Sequence, residues 1–347
     1  MKKRCFIAAA FTFAVCLLPT LSAIHAADHL VFEPAEGKAN GKHIVLISGD
    51  EEYRTEESCP MLGKILSQTH GFKCTVLFAI DKETGGINPY QIDNIPGTEA
   101  LNDADLMILA TRWRVLSDDQ LDPILKFINA GKPIIAYRTA THAFKSGHYG
   151  DYDWANFGIN VVGENWHSHH GKHKVEGGRA VIVEDNANHP ILNDVADIYT
   201  PSDIYGVVHL DESAATVLLR GMVIQHLDPA APPVDAKNDP MMPLAWLKPY
   251  EAPSGKTGQC VATTAGAAVD FRSEDLRRLI VNASYFLTGM DVPKSADVSF
   301  IDPYVPSFYG FETGKLYRER DLRVEEFDLG SSATVFTPKG TFAPVAQ

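Results

Sequence analysis

Four apolar runs in the first half of the chain lack polar–apolar alternation, and each leads into a polar or glycine-bearing turn. They are "HIVLISGD", "KCTVLFAI", "ADLMILAT" and "PIIAYRTATHAF". A strand with one wet face alternates; a strand covered on both faces does not. Helical spacing falls between the runs, through Met61, Leu62, Ile65 and Leu66, and again over "SDDQLDPILKFINAGK", where Ser117 is placed to cap the start and Gly131 to follow the end. Buried strands alternating with helices predict a doubly wound parallel α/β sheet. Further on, "GGRAVIVED" and "ATVLLRGMVI" read as a hairpin or sheet extension, "PLAWLKPY" and "GQCVATTAG" as strands, and Ser273 to Leu287 as a helix ending at Gly289.

The two ends read differently from this body. Residues 1–27 carry Lys2, Lys3 and Arg4, then an apolar run to Leu21, then small residues at Ala23, Ala26 and Ala27. That order is the pattern of a secretory signal peptide. No later segment approaches the ~20 apolar residues of a spanning helix, so membrane insertion is not expected. Residues 28–289 form the expected α/β domain. Residues 290–347, with five prolines and little periodicity, are expected to pack over it as a C-terminal extension through Phe300, Tyr304, Phe308, Tyr309 and Phe311.

The formal charge is -13, and removal of the three basic residues of the leader leaves 28 basic against 44 acidic residues. An acidic surface of this kind disfavours nucleic acid and anionic membranes as partners. Cys59, Cys74 and Cys260 are too few for a disulfide framework and are expected as buried thiols, with a Cys59–Cys74 bridge the alternative.

In an open parallel sheet, ligands bind beyond the carboxyl ends of the strands. After the first strand come Glu51, Glu52 and Tyr53; after the third, Arg112 and Trp113; after the fourth, Arg138, Thr139 and His142. Glu56 and Glu57 enrich the first turn of a helix, where acids suit its dipole. No Gly-x-Gly-x-x-Gly follows the first strand, so a tightly held dinucleotide is not expected.

The most unusual stretch is "ENWHSHHGKHK", with His167, His169, His170 and His173. If extended, it points His167 and His169 to one face and His170 to the other. A His-x-His pair can bind a divalent metal such as zinc, with His142, Glu164 or Asp203 as third ligand. Alternatively the imidazoles and Trp166 form a wall against a sugar ring, or act as acid and base without metal. The lone histidines His43, His189, His209 and His226, and Trp246, read as structural.

The segments "HIVLISGDEEYRTEESCPMLGKIL", "GKPIIAYRTATHAF", "NHPILNDV", "SDIYGV", "PLAWLKPY" and "RRLIVNASYFLTG" resemble the trehalose-utilisation ThuA-like family from Lys42 to Gly289. The resemblance implies a flavodoxin-like, class I glutamine amidotransferase-like domain and a role in sugar catabolism beside enzymes that form 3-keto-glycosides. Arg138 stands where an amidotransferase has its cysteine nucleophile, and a guanidinium cannot be activated that way, which excludes glutaminase chemistry. A Gly-His pair frequent in the family is Gly266-Ala267 here. The expectation is therefore an enzyme on a keto-sugar, or else a carbohydrate-binding protein without catalysis. His142, His167, His169, Arg138 and Glu52 are the candidate catalytic residues, with His167, His169 and His142 as metal ligands. Arg138 is assigned to an oxyanion. Glu51, Tyr53, Arg112, Trp113, Thr139, Trp166, Asp203 and Tyr205 are the candidate substrate contacts. The small-molecule partner would be a carbohydrate.

Overall fold

The structure is a computed structural model that describes residues 28–145, 148–149 and 152–336. The leader and the last eleven residues of the extension lie outside the described residues. The strands are β1 (His29–Phe32), β2 (His43–Gly49), β3 (Lys73–Leu77), β4 (Leu106–Thr111), β5 (Ile134–Tyr137), β6 (His148–Tyr149), β7 (Tyr152–Asp153), β8 (Ser168–His169), β9 (Gly177–Ile182), β10 (Tyr199–Thr200), β11 (Tyr205–Gly206), β12 (Thr216–Ile224), β13 (Met242–Glu251) and β14 (Thr257–Thr263). The helices are α1 (Thr55–Lys64), α2 (Asp118–Asn129), α3 (Glu274–Leu287) and α4 (Gly314–Arg320).

One ten-stranded sheet runs β1-β3-β2-β4-β5-β14-β13-β12-β9-β10. Its centre, β3-β2-β4-β5-β14, is parallel throughout and has the flavodoxin-like order 2-1-3-4-5. The expected doubly wound α/β fold is present. The stretches read as a hairpin or extension, β9 and β12, continue the sheet antiparallel beyond β13, and β1 closes the other edge antiparallel to β3.

The missing alternation follows from the layering. Ile44, Leu46, Leu106 and Ile108 face one core with α1 and α3 residues such as Leu62 and Leu279. Val45, Ile47, Met107 and Leu109 face a second core with α2 residues Ile124 and Phe127. Each strand thus contributes alternate side chains to two apolar layers, so consecutive positions such as Ile44 to Ile47 are all apolar. Gly131 follows α2 with φ 68°, and a Cβ there would sit 2.7 Å from the Thr257 carbonyl oxygen, so the turn needs glycine. Cys59, Cys74 and Cys260 are buried free thiols. Among the described residues, no helix is long and apolar enough to cross a membrane.

Beyond α3 the extension lies against the domain, with Tyr304 and Tyr309 buried but Phe311 half exposed. It contains more regular structure than its prolines suggest, namely α4 and a 3-10 turn over Val324–Phe327. Its backbone reaches the end of β2, where Gly310 N–H donates to the Glu52 carbonyl and Arg54 donates to the Gly310 carbonyl at 2.6 Å. Ser307 also donates to the buried Glu57 carboxylate.

Candidate functional site at the strand ends

The sheet changes winding direction between β2 and β4, and the turns after β2, β4 and β5 meet there. A cavity of about 220 Å³ opens at this place, lined by Glu52, Arg112, Trp113, His142, Trp166, His169, His173, Tyr205 and Phe311. A second cavity of about 360 Å³ adjoins it through Arg112 and Trp113 and adds Glu51, Ile92 and Lys145. Four turn residues near the site hold left-handed backbone without being glycine: Arg54 at φ 59°, Trp113 at φ 50°, Arg138 at φ 51° and Lys174 at φ 60°. Such strain costs of order 1–3 kcal/mol per residue and persists only where the surroundings enforce it.

The turn after β2 is organised by Asp50. Its Oδ1 accepts the N–H groups of Glu52 (2.7 Å) and Tyr53 (3.0 Å), and its other oxygen accepts the Thr139 hydroxyl. Burial, with the Glu51 charge beside it, raises the Asp50 pKa from 3.8 to about 6. A raised carboxylate pKa opposes folding once the group ionises. The penalty is absent below pH 3.8, where both states are protonated, and complete above about pH 6. Asp50→Asn keeps the acceptor and can donate to Thr139. It is expected to be more stable than the parent at pH 8 by at most about 3 kcal/mol, with the difference vanishing near pH 4. Denaturant titrations at the two pH values check this, and an equal difference at both would contradict it.

Glu51 pairs with Arg112 and, at 2.6 Å, with the buried Arg114. This ion pair fixes Arg112 at the boundary of the two cavities, with Phe311 over its guanidinium at 5.0 Å. Rings then run along the wall: Trp113 lies 4.8 Å from His142, His142 5.7 Å from Trp166, and Trp166 5.8 Å from His169. His142 is buried, its Nδ1 3.0 Å from the Thr141 hydroxyl. Burial, then the charges of Arg112, Arg138 and His169, lower its pKa well below 6.5. It is a neutral imidazole at pH 7.

The histidine stretch is not extended. Only Ser168 and His169 pair, antiparallel to β11, with His169 opposite Tyr205. His170 and Gly171 both donate to the Ile204 carbonyl, and the chain then turns through Lys172 to Glu176 with Lys174 at φ 60°. The turn brings His173 back beside His169, their rings 4.4 Å apart. His169 Nδ1 donates to Asp203 Oδ2 at 2.6 Å and His173 Nδ1 to Asp203 Oδ1 at 3.0 Å, while His173 Nε2 lies 3.1 Å from Glu52 Oε1. The hydrogen bonds to Asp203 and Glu52 push the His173 pKa up to about 9. Burial would raise the Asp203 pKa, but the two imidazole bonds and the Arg138 charge hold it well below the usual carboxylate range. His169, His173 and Asp203 each offer a ligating atom within 4.8 Å of the others, a group able to hold a metal ion.

Several expectations need correction. His167 is exposed, its ring 6.3 Å from that of His209, and it does not join His169, because alternation holds for only two residues. His142 lines the cavity but is not in the three-residue metal-capable group; His173, expected to matter less, is. Glu164 is spent on His209 and the Val208 and His209 N–H groups, so it is not a ligand there. Arg138 does not reach the cavity as an oxyanion partner. It is fully buried between the Tyr53 and Tyr205 rings, at 4.3 and 3.9 Å, and donates to the Asp203 and Thr264 carbonyls, Tyr53 Oη and Asp203 Oδ1. Tyr53, Thr139 and Asp203 are likewise buried, behind the residues that line the cavity. Glu52, Arg112, Trp113, Trp166, His169 and Tyr205 are at the wall, and Glu51 lines the adjoining cavity. His170 points to the Lys237 carbonyl, and His189 accepts from Ile191 N–H to fix its turn. Ala267 packs with Tyr53 and Tyr309, and the imidazole beside Tyr309 is that of His173, at 5.4 Å.

Fold and site together define a flavodoxin-like α/β protein with a histidine-rich, aromatic-walled cleft at the strand ends and no thiol nucleophile at the turn after β5. Residues 45–287 match the family model of ThuA, described as trehalose utilisation, and the chain belongs to that family. Among solved structures it is similar to a ThuA-like protein from Parabacteroides merdae, at 14% identity over 73% of this chain and 92% of that one, with a TM-score of 0.48. A ThuA-like protein from Bacteroides uniformis matches at 11% identity over 73% and 93%, with a TM-score of 0.44. A cytoplasmic protein from Salmonella typhimurium matches at 14% identity over 71% and 98%, with a TM-score of 0.42. The comparison with curated proteins gives no match.

Proposed function

We propose that this protein is an exported enzyme of carbohydrate catabolism that removes a proton beside the carbonyl of a 3-keto-glycoside or related sugar. The observation that carries the reading is the presence of a neutral, buried His142 and the Arg112 guanidinium on the wall of one small cavity. A proton next to a carbonyl is acidic because the resulting charge moves to oxygen. A base that is unprotonated at pH 7 can take it, and Arg112 faces the cavity to stabilise the oxyanion. Trp113, Trp166 and Phe311 supply flat apolar faces for a sugar ring. The cavity is smaller than the ~300–1,000 Å³ of drug-sized sites, which suits one ring; the adjoining cavity would take the aglycone or second sugar. Isomerisation, epimerisation and elimination of the glycosidic substituent begin from this enolate, and elimination followed by addition of water to the enone amounts to hydrolysis. A divalent cation such as zinc is compatible with the same site. The partner is a small carbohydrate rather than nucleic acid or membrane, in keeping with the net charge of -13.

Incubation of the purified protein with a 3-keto-glycoside in D₂O tests the reading directly. Deuterium is expected at the carbon beside the carbonyl, seen by NMR whatever the final product. Sugar binding without exchange would instead favour the non-catalytic binding protein, and neither binding nor exchange would end the carbohydrate reading. Export rests on the leader pattern in residues 1–27. Sequencing of material from outside the cytoplasm is expected to start near Ala27 or Asp28, and a mature chain retaining Met1 would contradict it.

A further inference from the structure

We propose that Glu52, His169 and His173 form a binding site for one divalent transition-metal ion such as zinc, with Asp203 orienting both imidazoles from behind. The binding stands on geometry; the ion's part in catalysis rests on the carbohydrate reading above.

The donor set comes from three places in the fold: the turn after β2, the strand β8, and the turn through Lys172 to Glu176. Two imidazoles and one carboxylate are the ligands of many zinc sites and of the two-histidine, one-carboxylate facial arrangement. The spacing of His173 to Glu52, and of the two rings, is that of a coordination shell. His173 Nε2 and Glu52 Oε1 are 3.1 Å apart, and two donors each ~2.1 Å from a common ion are separated by ~3.0–3.4 Å when they subtend 90–110°. The rings of His169 and His173 lie 4.4 Å apart, centroid to centroid. An ion at ~2.1 Å from a ring nitrogen lies ~3.2 Å from that ring's centre, so two rings bound at right angles are ~4.5 Å apart.

The outer contacts agree. Metal-binding histidines almost always donate their second ring N–H to a carboxylate or carbonyl, which fixes tautomer and orientation. Asp203 accepts Nδ1–H from both rings, one on each oxygen, and so leaves Nε2 of each ring for the ion, which displaces the Nε2 proton that His173 otherwise shares with Glu52. Direct ligation by Asp203 would break those bonds and place the ion against Arg138, whose Nη2 is 3.2 Å from Asp203 Oδ1. Asp203 is also wholly buried, whereas Glu52, His169 and His173 face the cavity. The remaining coordination positions open toward that cavity, as in catalytic rather than structural zinc sites. There the ion would hold the sugar carbonyl and an adjacent hydroxyl beside His142.

The full mature chain, purified without an affinity tag and stripped by chelator, is titrated with Co²⁺, whose visible absorption reports nitrogen and oxygen ligation. Zn²⁺ then competes for the same sites. One ion per chain is expected, displaced by zinc. His169→Ala and His173→Ala are expected to weaken binding at least ~100-fold, and Asp203→Asn ~10–100-fold. His167→Ala and His170→Ala should bind as the parent does. Thermal unfolding of each variant shows whether it is folded, and Glu52→Gln, which preserves shape, is expected to weaken binding while remaining folded. Only millimolar binding by the folded parent, or parent-like binding by folded His169→Ala and His173→Ala, overturns the proposal. Deuterium exchange read on the same samples separates the two ideas: exchange by a parent protein that binds no metal removes the site and leaves the carbohydrate reading, whereas metal bound at these residues without exchange supports the site and removes that reading.

Discussion

Replacing Arg138 with methionine is expected to destabilise the protein by about 3–5 kcal/mol, the loss that follows when one partner of a buried ion pair is removed. The apolar stem would still fit between Tyr53 and Tyr205, so packing is largely kept. What is lost is the charge opposite Asp203 and the donors to the Asp203 and Thr264 carbonyls and Tyr53 Oη. Asp203 would then be a buried carboxylate facing only its two histidines. Arg138→Lys restores the charge but not the planar fork, and a single ammonium cannot meet four acceptors while lying flat between two rings. It is expected to recover less than half of the loss. Urea denaturation of the parent and both variants measures this. A methionine variant within about 1 kcal/mol of the parent would mean the guanidinium does not anchor the wall. A stable lysine variant that no longer binds sugar would return Arg138 to the direct role its position suggests.

That position was legible in the sequence; its environment was not. The turn after a buried parallel strand is where a ligand-facing side chain is expected, and Arg138 occupies it. Whether the side chain faces out or in depends on Tyr205 and Asp203, 67 and 65 positions further along, and no local pattern reveals that. The fold was easier to read because burial on both faces leaves its mark in consecutive strand residues, as at Ile44 to Ile47. The histidine stretch failed for a definable reason. Period-two alternation requires a sustained ladder, and β8 pairs for only two residues before Gly171 ends it. Gly171 was the available sign of a turn, and a turn makes His169 and His173 neighbours. Phe311 and Tyr309 left no comparable sign. Their composition says only that the extension packs somewhere, and their place is set by backbone bonds such as Gly310 to Glu52.

His142→Ala is expected to lower the rate of deuterium exchange into the keto-sugar by ~10²–10⁴-fold, the usual contribution of a positioned general base. KM should change little, because the Trp113, Trp166 and Phe311 faces that would hold the ring remain. Stability should fall by no more than the cost of a small cavity, since His142 is neutral and its hydrogen bond is to a neighbouring hydroxyl. His142→Gln is the more demanding variant: it keeps a polar group in the cavity but offers no comparable base, so exchange should be lost without a large change in sugar binding. Arg112→Gln tests the other half of the chemistry, removing oxyanion stabilisation and leaving Glu51 to Arg114 alone. The two effects should not simply add in the double variant, because each group needs the other for the same enolate. If His142→Ala and His142→Gln, both folded, exchange as fast as the parent, then the base lies elsewhere on the wall. Glu52 becomes the next group to replace, and the same exchange measurement decides it.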